Sequence, residues 1–149
     1  MTSRHPAVTL REIARIRELQ RERRGAEAAP LLRESELASE VEHTQRATLD
    51  ALERGWSQAL TSDRLDPAQV AGWAGIATHA RDEADRLAML AAEARMASDT
   101  ALHAFASAQT IANDAMRRAD QADIARRRDR DERLDIALME LRLARSHAR

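Results

Sequence analysis

The groups able to do chemistry in this chain are histidines and carboxylates, because cysteine is absent and thiol catalysis, disulfides and thiolate metal sites go with it. The five histidines are His5, His43, His79, His103 and His147. No two lie four residues apart, so no helical face carries the two-histidine clip of a metal site. They read as solvated surface residues, with a metal site as the lesser alternative. Twenty-five Asp and Glu are present, but acid–base catalysis needs carboxylates held in a concave pocket. No Gly-rich phosphate loop and no nucleophile turn of the G-x-S-x-G kind occurs. The expectation is a protein that is not an enzyme and has no cofactor and no metal.

The elements that would position these groups are helices. The 149 residues include one Phe, two Trp, no Tyr, four Gly and three Pro. Apolar content rests on Ala and Leu, and 33% of residues are charged, a composition of long helices and coiled coils. All 24 basic residues are Arg and the net charge is −1. That balance disfavours nucleic acid as a partner of the whole chain. The segment from Met1 to Pro6 lacks the apolar stretch of a signal peptide. No apolar run approaches a membrane span, so the expected location is the cytoplasm and the chain is not expected to be an integral membrane protein.

Thr61-Ser62-Asp63-Arg64-Leu65-Asp66-Pro67-Ala68-Gln69 is the main punctuation. Asp66 suits an N-cap, Pro67 the first helical position, and Gln69 the capping-box partner. The spacing predicts helix 1 over about 7–61, a tip at 62–66 and helix 2 over about 67–147. So short a connection forces antiparallel neighbours. From Val70 a strict 3,4 spacing runs through Trp73, Ala77, Ala80, Ala84, Leu87, Ala91, Ala94, Ser98, Ala101, Phe105, Ala108, Ala112, Ala115, Ala119 and Ala122. Fifteen of these sixteen positions are apolar and eleven are Ala, far more than chance allows.

The fold expected is therefore all-α: one long antiparallel two-helix coiled-coil hairpin. Folding about the tip sets Trp73 against Trp56, Ala77 against Leu52, Ala80 against Leu49 and Ala84 against Gln45. Further on it sets Ala91 against Ala38 and Ala119 against Leu10. Gly25 and Pro30 predict a break near 25–30 in helix 1, with Leu10, Ile13, Ile16 and Leu19 as a separate amphipathic stretch before it. Gly55, Gly72 and Gly75 read as room for the two Trp side chains.

Past Ala122 the seam register meets Arg126, Asp129 and Arg133, which no seam wants. Apolar residues return at Leu134, Ile136, Leu138, Met139, Leu141 and Leu143. Residues beyond about 128 have no partner in helix 1 and should overhang. Either they form a docking element flanked by Arg142, Arg145 and Arg149, or Ile13, Ile16 and Leu19 fold back onto them. The run Arg126 to Arg133 is either a solvated, salt-bridged face or a surface for an acidic partner. Trp56 and Trp73 either plug the hairpin or anchor a partner. Charge is segregated: residues 1–24 carry net +4, residues 27–53 net −5 and residues 126–149 net +3, giving a basic open end and a more acidic body.

This layout resembles the FliJ/YscO family, the central stalk proteins of flagellar and virulence type III export ATPases, and also the coiled coil of the rotary ATP synthase γ subunit. Gln45, Leu49, Leu52 and Trp56 are similar to the family's gate-facing stripe on the first helix. Trp73, Ile76, Ala77 and Ala80 are similar to its counterpart on the second. The resemblance implies a non-catalytic stalk or adaptor in a bacterial protein export apparatus, cytoplasmic and peripheral to the inner membrane. Its implied partners are the cytoplasmic domain of an export gate, a hexameric export ATPase and export chaperones. The residues implied to meet the ATPase ring are Arg11, Arg15, Arg126, Arg127, Arg130, Arg133, Leu134, Leu138, Leu141, Arg142 and Arg145. The alternative is a structural coiled-coil protein that self-associates through its C-terminal overhang.

Overall fold

The computed structural model describes residues 6–61 and 66–147. These form two helices, α1 (Pro6–Leu60) and α2 (Pro67–His147), with no strand among the described residues. The chain is an all-α two-helix hairpin. Tip residues 62–65, His5, Arg149 and the side chain of His147 lie outside the description.

The helix ends follow from local chemistry. Pro6 opens α1 and Pro67 opens α2, where a missing N–H costs nothing. The Asp66 carboxylate accepts the Ala68 N–H at 2.9 Å, and its carbonyl accepts the Val70 N–H at 3.0 Å, so Asp66 is the N-cap. At the end of α1 the Thr61 hydroxyl donates to the Gln58 carbonyl at 3.0 Å and the Ser57 carbonyl at 3.3 Å. It thereby occupies acceptors that the last turn leaves open.

The chain divides into two compact units, Gly25–Ala104 and Met1–Arg24 with Phe105–Arg149. In the first of these, Trp73 packs over Gly55, Arg81 pairs with Glu53 at 2.8 Å, and Arg95 pairs with Glu42. Partners descend along α1 as they ascend along α2, which is antiparallel pairing. The Trp73 contact falls one residue from the expected Trp56. The two ion pairs slant further along the seam, as long arginine arms allow. Ala28, Ala77, Ala80, Ala91, Ser35 and Ser98 are buried here. In the other unit Ala14, Ala112 and Ala119 are buried, and Arg11 reaches Asp123 at 2.8 Å and Asp120 at 3.6 Å.

Among the described residues nothing larger than Ala or Ser is buried. Two helices can enclose only the strip between them, and small residues let the backbones close on that strip. All sixteen expected seam positions of α2, from Val70 to Ala122, are buried or half-buried.

Not every expectation holds. No loop interrupts helix 1 at 25–30: α1 continues as α-helix through Gly25 and Pro30. Pro30 deprives the Ala26 carbonyl of its donor, but both residues are on the exposed side, so water takes up the acceptor while Ala28 stays seated in the core. The stretch of Ile13, Ile16 and Leu19 is no buried face either: these are 42%, 54% and 56% exposed, and Ala14 is the residue packed inside. Ile13, Ile16 and Leu19 fall off the spacing of Leu10, Ala14, Glu18 and Arg21, the residues that are buried or half-buried there. Finally, only Gly55 makes room for an indole. A Cβ on Gly72 or Gly75 would meet nothing within 4 Å.

Candidate functional site

The unit formed by 1–24 and 105–149 ends in helix whose side chains are exposed among the described residues. Arg11 on α1 holds Asp120 and Asp123 on α2, and Val8, Arg11, Glu12 and Arg15 share an open groove with Asp123 and Arg126. α1 begins at Pro6, and beyond Asp123 every described side chain up to Ser146 is exposed. Leu134, Ile136, Leu138, Met139, Leu141 and Leu143 are each between 53% and 62% exposed. Ile13, Ile16 and Leu19 are themselves exposed on α1, so the alternative in which they cover the overhang is overturned.

The overhang is apolar on two sides. At about 100° per residue, Leu134, Leu138 and Leu141 fall on one face, with Ala137 and Ala144 at its edge. Ile136, Met139 and Leu143 fall on the roughly opposite face, where Ile136 and Leu143 continue the spacing of the seam. Asp135 and Arg142 lie along one border between the faces and Glu140 along the other. A list of apolar residues does not show this two-sidedness; turning them at helical pitch separates the faces.

Of the arginines named for the ring, Arg11, Arg15, Arg126, Arg127, Arg130, Arg133, Arg142 and Arg145 are all exposed. Arg126 approaches Asp123 at 3.6 Å, and Arg133 pairs with Asp129 at 2.8 Å. Arg127, Arg130, Arg142 and Arg145 have no ion-pair partner among the described residues. The run 126–133 is thus partly a salt-bridged face and partly free cations.

The second candidate surface lies in the unit 25–104. Gln45, Leu49, Leu52 and Trp56 are half-buried along α1, as is Trp73 on α2. Trp73 sets its Cη2 and Cζ3 carbons at 3.6 and 3.9 Å from the place of a Gly55 Cβ. The indole thus lies over Gly55, and Trp73 as a whole is half-buried. Ile76 is 54% exposed, whereas Ala77 and Ala80 are 8% and 7% exposed. Those two alanines close the seam and offer a partner nothing while it stays closed.

Among the described residues no group of three or more His, Asp or Glu is placed to hold a metal ion. Nor is any described helix long and apolar enough to cross a membrane. Arg86 donates to both oxygens of Glu83 at 2.7 and 2.9 Å on the surface of α2. Those hydrogen bonds hold the Glu83 carboxyl below its ordinary value of 4.5 and push the Arg86 guanidinium up.

Fold and surfaces together define a helical hairpin with an unpartnered, two-faced helical end. Compared with known proteins, the chain matches no family model, no curated protein and no solved structure.

Proposed function

We propose that this chain is a non-catalytic stalk or adaptor of a bacterial flagellar or type III protein export apparatus, cytoplasmic and peripheral to the inner membrane. Its C-terminal end enters a hexameric export ATPase and biases hydrolysis there. The flank bearing Trp56, Trp73 and Ile76 meets the cytoplasmic domain of an export gate, and export chaperones are further partners.

The observation that carries this reading is the overhang. Six large aliphatic side chains left more than half exposed forgo on the order of 1.5–3 kcal/mol each relative to burial. An exposed patch of that kind marks an interaction site. A helix apolar on two opposite sides is satisfied by enclosure rather than by one neighbour, and a ring lumen encloses. The guanidinium groups of Arg127, Arg130, Arg142 and Arg145, without an ion-pair partner among the described residues, suit an acidic socket wall.

The test is steady-state ATP hydrolysis by the export ATPase of the same organism, with and without the chain, alongside co-sedimentation. The expected result is a complex and an altered hydrolysis rate that saturates at one chain per hexamer. Unchanged hydrolysis together with no complex would falsify the proposal.

A further inference from the structure

We infer that the free chain pairs with a second copy of itself, antiparallel, through the Leu134–Leu138–Leu141 face of the overhang. The spacing 134, 138, 141, 145 is a 4-3-4 seam, the repeat that two helices bury between them. α1 has ended before this segment, and the three leucines are 53%, 53% and 58% exposed.

Charge selects the occupant and its direction. In an antiparallel pair Leu138 packs against Leu141 of the second copy, Leu134 packs against the aliphatic stem of Arg145, and the converse contacts follow by symmetry. That register brings Asp135 beside Arg142 of the second copy at the flank of the seam, twice over. Neither Asp135 nor Arg142 has an ion-pair partner within its own chain among the described residues, so both are available. A parallel pair instead stacks Arg145 on Arg145 and Asp131 on Asp131 within the seam, and like charges there oppose association. Ala137 and Ala144, small residues on the other flank, let the backbones approach. In the antiparallel register the second copy's helix ends near residue 132, clear of the described part of α1, whose contacts with α2 reach Asp123 and Arg126.

Such pairing covers one apolar face of the overhang before any other partner reaches it. It stands apart from the export reading, because dimerisation is measured on the chain alone and ring binding is not.

The experiment is sedimentation equilibrium of the full chain, with charge-swap variants. Wild type should dimerise at submillimolar concentration. Asp135→Arg and Arg142→Asp should each weaken the dimer roughly tenfold, through two lost attractions and two new repulsions. The combined variant should restore it, since only the antiparallel register sets these two positions against each other. The chain has no native cysteine, so a spin label on Ala125→Cys reports direction independently. The antiparallel register places two such labels about 45 Å apart, at 1.5 Å per residue along the pair; parallel pairing brings them close together. A monomer at every concentration overturns the inference, as does a dimer with adjacent labels or one the double swap does not restore.

Discussion

Ala91 is wholly buried in the seam of the unit 25–104, while its neighbour Ala92 is exposed. Replacing Ala91 with Leu puts an isobutyl group where only a methyl fits, and the helices must separate or the new chain must leave its rotamer. Overpacking of this kind costs about 1–3 kcal/mol. For a chain of this size that is a fall in melting temperature of about 3–10 °C. Ala92→Leu adds the same carbons to solvent-facing helix, where surface changes stay within about 0.5 kcal/mol. Both residues favour helix nearly equally, so propensity does not separate the variants and packing alone does. The assay is thermal unfolding followed by circular dichroism at 222 nm, a wavelength chosen for helix. Equal shifts for the two variants, or a larger loss from Ala92→Leu, would refute the seam register. Ala119→Leu against Ala125→Leu repeats the comparison in the other unit, since Ala119 is likewise wholly buried.

Arg21 keeps a buried Nε without a hydrogen-bond partner while its terminal nitrogen pairs with Glu18 at 2.6 Å. Arg21→Met should stabilise the chain by about 0.5–1 kcal/mol, the relieved donor outweighing a weak surface pair, and a lower melting temperature would contradict this. Gly72 and Gly75 lie in α2 with open space where a Cβ would stand, so each change to Ala should add roughly 0.5–1 kcal/mol, read by urea unfolding. Glu83 has a folded pKa below its ordinary 4.5. Its contribution to stability is therefore present above the unfolded value and lost as pH falls through the lowered folded value. Nuclear magnetic resonance titration should find the Glu83 carboxyl below the ordinary glutamate range, and Arg86→Ala should return it there.

The seam of α2 was legible because small residues at strict spacing have no other use over such a length. All sixteen positions lie in or beside the interface. The seam of α1 was legible only in part: Leu10, Ala38, Gln45, Leu49, Leu52 and Trp56 are half-buried as expected, but so are Glu18, Arg21 and Glu42. Long polar chains can lie across an alanine face with their heads in water, so hydropathy does not mark them. Leu10, Ile13, Ile16 and Leu19 read as one amphipathic stretch by apolar type, but of these only Leu10 keeps the spacing of Ala14, Glu18 and Arg21, the buried or half-buried residues there. Pro30 read as a break because proline removes a helical hydrogen bond and crowds the preceding turn; α1 nonetheless continues through it, with the Ala26 carbonyl that loses its donor on the exposed side. The overhang was legible from arithmetic on the tip position. Its two faces were not, because a count of apolar residues ignores their angle around the axis.

The central claim is that residues 134–149 are a docking element and not part of the hairpin's core. Truncation after Arg133 tests it most directly, with melting temperature and binding to the hexameric export ATPase measured on the same preparation. At a concentration where the full chain is monomeric, the account predicts an unchanged melting temperature, since no described side chain beyond Asp123 is even half-buried, together with loss of ATPase binding. A collapse in melting temperature, or binding that survives the truncation, would contradict it.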